Sequence, residues 1–230
     1  MITLATSPGQ GERFVLAENS RITRSAGYSP LHLDSWIDIS KPAVIPLSEE
    51  LIGNDKELLA FWEAEKSRYR YDYVSLSCSF GPAEGTLFTK AWVEVELTSQ
   101  ESDQKPIAWS MAPEEVIDSA KLTQTDKLGA EFKLLSGEVQ QQIEHSSKEW
   151  FLRAFRERSA QPYWEFRTTT QSPIAGSWKL SLVTRSPIGA VGTGKLSLRA
   201  VVEKRTFLIF RKNQSVEEPA SILFDLSPEA

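Results

Sequence analysis

Residues 178–202 carry the pattern that most narrows what this chain can fold into. Trp178, Leu180 and Leu182 alternate with Lys179 and Ser181; after a short connection, Leu196, Leu198, Ala200 and Val202 alternate with Ser197 and Arg199. Successive side chains of a strand point to opposite faces, so strict period two means strands buried on one side and wet on the other. Half-buried strands of this kind belong to antiparallel sheets, whereas parallel strands read as continuous apolar runs. YWEFRTTT (163–170) and RTFLIFRK (205–212) add to a strand-rich last third.

The same period recurs in YDYVSLSCSF and LFTKAWVEVEL, separated by GPAEGT. Val74, Leu76, Cys78 and Phe80 share one face of the first arm. Leu87, Ala91, Val93 and Val95 are expected to share the buried face of the second. Paired as a hairpin about the turn Gly81–Thr86, the arms set Val74 opposite Val93 and Leu76 opposite Ala91. A one-residue slip would drive Lys90 and Glu94 into the core.

Helical signals are fewer. Asn54 with Glu57 reads as a capping box, followed by a stripe of Leu58, Phe61 and Trp62. Pro113-Glu114-Glu115 has the composition of a first helical turn. Val139, Ile143, Trp150, Phe151, Ala154 and Phe155 recur at helical spacing between Gly137 and Arg158, with a strand as the competing reading of the second half. Phe132 and Leu134 suggest a short strand. Residues 1–46 are broken by Pro8, Gly9, Gly27, Pro30 and Pro42, and one strand is expected near Trp36–Ile39. The fold class predicted is α+β and β-rich: an antiparallel sheet or sandwich-like domain with about two helices. It is divided into an extended segment 1–46, one globular domain 47–212 and a tail 213–230.

Charge is unevenly spread. Residues 148–212 hold 13 Lys/Arg against 4 Asp/Glu, a local net of +9 in a chain of net charge −5. The remainder therefore carries −14. Such a split points to an anionic partner for the basic part, or to internal neutralisation by the acidic part. Arg167, Lys179, Arg185, Lys195 and Arg199 fall on the polar side of the predicted strands and form the candidate anion-binding set, with Tyr163 beside them. In KSRYRYDY, Tyr69, Tyr71 and Tyr73 share one strand face; they either stack on bases or lie beneath a covering helix.

Catalytic motifs are sparse. Gly189-x-x-x-x-Gly194-Lys195 matches a phosphate-binding loop up to its last position, where Leu196 stands in place of the Mg²⁺-binding Ser/Thr. The residues after Lys195 have period two, so no helix N-terminus is available for a phosphate and no nucleotide is expected. One cysteine, Cys78, and two histidines, His32 and His145, make a Cys/His metal site or a Ser/His/Asp triad unsupported. Cys78 alternates inward and reads as an inert core thiol suited to a reducing compartment. No cofactor, metal or catalytic residue is predicted. The first residues lack a basic and apolar leader, and a cytoplasmic location is expected.

The reading that results is a non-enzymatic binding or protein-interaction module. Its basic C-terminal sheet face would contact an acidic protein, a nucleic acid or an anionic membrane surface. A membrane-active protein inserting a 178–202 hairpin is the alternative, because the tip Pro187–Gly192 is apolar and flanked by Arg185 and Lys195. An enzyme of unidentified class is the second alternative. The residues assign the chain to no family.

Overall fold

In the computed structural model, residues 11–15, 35–52, 56–99, 104–117, 149–205 and 211–226 are described, with backbone alone at 11–15, 204–205 and 211–220. The strands are β1 (Gly11–Val15), β2 (Trp36–Ser40), β3 (Ala43–Pro46), β4 (Tyr69–Gly81), β5 (Thr86–Ser99), β6 (Ile107–Ala112), β7 (Glu115–Val116), β8 (Leu152–Phe155), β9 (Tyr163–Arg167), β10 (Gly176–Pro187), β11 (Gly192–Arg205) and β12 (Arg211–Asp225). Two helices, α1 (Glu49–Ile52) and α2 (Lys56–Glu65), precede β4.

The strands form two antiparallel sheets packed as a sandwich. The first has the order β1-β2-β4-β10-β6, with β3 beside β2 on the same edge of β4; the second has the order β12-β11-β5-β9-β8-β7. Alternation decides the faces. Val74, Leu76, Cys78 and Phe80 of β4 enter the core with Leu180 and Leu182 of β10, and Ala91, Val93, Val95 and Leu97 of β5 meet them from the second sheet with Leu196 and Leu198. The ring of Phe80 packs edge-on against Phe88 at 5.6 Å and Phe166 at 5.3 Å, joining the two layers. Edge-to-face contacts of this sort add to the burial of large rings.

Partner choice differs from the hairpin that alternation suggests. β4 pairs with β10, Val74 opposite Leu182 and Leu76 opposite Leu180. β5 pairs with β11, Val93 opposite Leu198 and Ala91 opposite Ala200. The Gly81–Thr86 connection therefore crosses from one sheet to the other, and β4 and β5 face each other through the core. Both arrangements bury the same side chains, so the pattern alone does not separate them. Nor do residues 178–202 form a hairpin: β10 pairs with β4 and β6, whereas β11 pairs with β5 and β12.

A bulge corrects one more expectation. Val201 lies opposite Lys90 and Val202 opposite Phe88, leaving Thr89 as the extra residue. A bulge shifts the phase of alternation, so Phe88 rather than Leu87 is buried.

The helical readings after residue 100 do not hold where the chain is described. Pro113-Glu114-Glu115 leads into strand β7, and residues 152–155 form β8. β8 pairs with β9, Leu152 opposite Phe166 and Ala154 opposite Trp164. Four residues are too few for spacing to tell the two periods apart, and a neighbouring strand decides. The first half of that predicted helix, the strand expected at Phe132 and Leu134, Asn54 of the capping box, and both histidines lie outside the described residues.

Helix α2 covers part of the outer side of the first sheet. Leu58 packs with Leu47, Ile52, Tyr71 and Val183, and Phe61, Trp62, Tyr69, Tyr73 and Trp109 flank them. The three tyrosines thus lie beneath a helix, Tyr71 fully buried. β12 pairs with β11 as far as Asp225, which places Ile222 and Phe224 in the core.

Candidate anion-binding face

The outer side of the second sheet holds Arg167, Lys195 and Arg199 of the predicted set. Lys179 and Arg185 project from the outer side of the first sheet, since β10 and β11 belong to opposite layers. The alternation placing all five on polar sides is right; the adjacency of their strands is not.

Around Arg167 the second sheet builds a stacked cluster. Arg167 donates from Nε to Glu165 Oε1 at 2.7 Å and lies 4.1 Å over the Trp150 ring. Arg153 lies 5.0 Å from the same ring and donates to Glu115 Oε2 at 2.7 Å. Phe155 stacks on Tyr163 with centroids 5.0 Å apart and planes 13° from parallel, and Arg156 lies 5.7 Å from Tyr163. Further along, Arg199 pairs with Glu94 and lies 5.3 Å over Trp92. Lys195 is exposed, in register with Glu96 on one side and Leu223 on the other. Part of the C-terminal positive charge is therefore met by carboxylates on the same face.

Arg185 belongs to a second column on the first sheet. It sits 4.5 Å from the Tyr69 ring and 4.2 Å from that of Trp109. Arg68 extends the column beyond Tyr69 at 5.4 Å, and Arg158 extends it beyond Trp109 at 5.1 Å. Beneath it, burial first and then the charge of Glu65 push the Tyr71 hydroxyl up to about 12, and Arg185 offsets part of that rise.

All six arginines with described side chains between residues 149 and 203 lie over an aromatic ring. Guanidinium–ring stacking contributes about 0.5–1 kcal/mol at exposed sites. It also holds a long side chain in one place, and at Arg153, Arg167 and Arg199 part of the N–H edge is already taken by Glu115, Glu165 and Glu94. Arg153, Arg156 and Arg158, with Trp150 and Trp109, were missed in the sequence, whereas Tyr163 was named there. Their interleaving in WFLRAFRERSAQPYW was the available signal, hidden by helical spacing.

Other chemistry is thin. Among the described residues no group of three or more His, Cys, Asp or Glu is arranged to hold a metal ion. Cys78 is buried, and burial pushes its thiol well above the usual range. The phosphate-loop look-alike is explained by packing. Gly189 has φ +80° in the turn after β10, and a Cβ on Gly194 would overlap the ring of Phe224 across the β11–β12 pair. Gly189 serves the turn and Gly194 makes room for the Phe224 ring, and Lys195 lies in mid-strand. No described helix is long and apolar enough to cross a membrane.

No protein-family model matches the chain, and no curated protein matches it. Among solved structures it is similar to delta-toxin of Clostridium perfringens, at 9% identity and a TM-score of 0.36, over 94% of this chain and 89% of that one. It is also similar to the major pilin subunit BcpA of Bacillus cereus, at 7% identity and a TM-score of 0.28, over 94% of this chain and 63% of that one. Likenesses this distant carry no functional argument.

Proposed function

We propose that the protein is a non-enzymatic binding module that recognises an anionic partner through the outer side of its second sheet. The supporting observation is the stacking of Arg153, Arg156, Arg167 and Arg199 on aromatic rings of that side. A free arginine gives up rotamer entropy when it binds; one already seated on a ring gives up less, which favours binding. Trp150 and Tyr163 are engaged by arginines and by Phe155, so the face reads charge in preference to stacking on bases.

The test uses dextran sulfate as a generic polyanion. Arg167→Ala, Lys195→Ala and Arg199→Ala combined should abolish retention on immobilised dextran sulfate with the melting temperature nearly unchanged. Wild-type retention should fall steeply with salt, as expected when polyanion contacts release counterions. Salt-insensitive binding, or retention unchanged in the triple variant, rules the reading out.

A second reading, contact with a membrane, is favoured by one observation. Ile188 and Val191, in the connection between β10 and β11, are 56% and 42% exposed. Replacing both with Ser should then release the protein from anionic liposomes in a co-sedimentation assay; unchanged sedimentation, or none for the wild type, eliminates it.

A further inference from the structure

The connection between β8 and β9 is strapped to both sheets. Leu97 N donates to Ala160 O at 2.8 Å and Val95 N to Pro162 O at 3.0 Å, both from the second sheet. Ala108 N donates to Ser159 O at 2.9 Å, and Arg158 N to Ala108 O at 2.6 Å, from the first. Ser159 Oγ donates to Arg156 O at 2.7 Å and accepts from Gln161 N at 3.2 Å. Within this strap Arg156 has φ 58° and Arg158 φ 61°. Arginine adopts the left-handed region only at a cost, and such residues persist where their surroundings over-determine them, often at ligand sites. One consequence is visible: Arg156 is delivered to Tyr163 on the second sheet and Arg158 to Trp109 on the first.

Between the strap and β5 opens a cleft of about 440 Å³, lined by Glu96, Leu97, Lys105, Arg156, Ser159 and Gln161, among others. It holds two cations, one carboxylate, one hydroxyl and one amide, with Ala160 as the apolar contact, since the Leu97 side chain is buried in the core. We propose that this cleft binds a single acidic sugar unit, a monosaccharide ring bearing a carboxylate, phosphate or sulfate. The proposal rests on the reading of the protein as a module for anionic partners and narrows that partner to an acidic glycan. Arg156 and Lys105 take the acidic group. Glu96 and Gln161 exchange hydrogen bonds with ring hydroxyls, Ser159 Oγ accepts one through its remaining lone pair, and Ala160 meets the C–H face of the ring. The volume falls within the range of small-molecule sites. An acidic peptide would bring further carboxylates against Glu96. A nucleotide would find no aromatic ring in the lining to stack on. Inorganic phosphate would leave Glu96 without a partner.

The experiment is calorimetric titration of the full chain with glucuronate, glucose 6-phosphate, glucose and inorganic phosphate. The two acidic sugars should bind saturably, with glucose and inorganic phosphate each weaker by about tenfold or more. Arg156→Gly, which suits the left-handed backbone while removing the guanidinium, and Lys105→Ala should each weaken the acidic sugars by about tenfold. Glu96→Gln should weaken both acidic sugars but not inorganic phosphate, which loses only the repulsion of the carboxylate. Absence of acidic-sugar binding, equal binding of inorganic phosphate, or affinities unchanged in the Arg156→Gly, Lys105→Ala double variant would each overturn the proposal. The same proteins on dextran sulfate keep the two readings apart. Polyanion retention without acidic-sugar binding removes the cleft and keeps the face. Acidic-sugar binding that survives the Arg167/Lys195/Arg199 triple variant, with polyanion retention also intact there, removes the face and keeps the cleft.

Discussion

Arg70 donates from Nε to Oδ2 of Asp72 at 3.1 Å, at the polar end of an otherwise apolar sandwich interior. The same guanidinium reaches the backbone carbonyl of Leu226, where the chain leaves β12, so it ties the first sheet to the end of the second. Asp72 is fully buried, and its Oδ1 finds no hydrogen-bond partner among the described residues. Desolvation raises its pKa from 3.8 to about 6, with Arg70 opposing the rise. Between those two values the folded chain holds a proton that the unfolded chain has released. Stability therefore falls as pH rises from about 4 to 6 through this group. A shift of roughly two units corresponds to on the order of 3 kcal/mol. Asp72→Asn should flatten that segment of the stability–pH profile, measured by urea melts at pH 4, 5, 6 and 7. An unaltered slope would show that Asp72 does not titrate there.

Leu76 is 2% exposed in the centre of β4, opposite Leu180. Leu76→Ala should cost about 2–5 kcal/mol, the transfer term plus the cavity left in a packed interior. Denaturant unfolding measures it, and a loss below about 0.5 kcal/mol would place the side chain outside the core.

Gly194 and Lys195 are neighbours with opposite predicted sensitivities. Gly194→Ala sets a methyl against the buried ring of Phe224 and should cost about 1–3 kcal/mol as the ring is displaced. Lys195→Ala, on the exposed side of the strand, should change stability by less than about 0.5 kcal/mol. It should also leave any ATP or GTP affinity unaltered. Saturable Mg²⁺-dependent nucleotide binding lost in Lys195→Ala would contradict the account of this loop.

Two tryptophans separate support of the arginines from support of the fold. Trp164 is fully buried, its Nε1 donating to Pro113 O at 3.2 Å, and Trp164→Ala should cost about 3–5 kcal/mol. Trp150 is half-buried and seats Arg153 and Arg167. Trp150→Ala should weaken dextran sulfate retention while most of the stability remains. Equal thermal destabilisation by the two substitutions would mean that Trp150 serves the core.

Period-two alternation by itself determined the β-rich class and most of the buried faces. Val74 to Phe80, Ala91 to Val95, and Leu196 to Val202 all point where their spacing says, because a strand has only two sides. Alternation also put Arg167, Lys179, Arg185, Lys195 and Arg199 on polar sides. Their alignment into one face was beyond it, since period two says which side a residue takes and nothing about which strand lies next to it. Only the tertiary structure assigned β4 and β10 to one layer and β5 and β11 to the other. That assignment sent Arg185 to a column with Tyr69 and Trp109, and Arg199 to the far side of the molecule with Trp92. The bulge at Thr89 and the short strand at Leu152–Phe155 belong to the same class of decisions. Each is settled by hydrogen bonding to a neighbouring strand distant in sequence, and the free energy of that pairing is not written in the local order of residues.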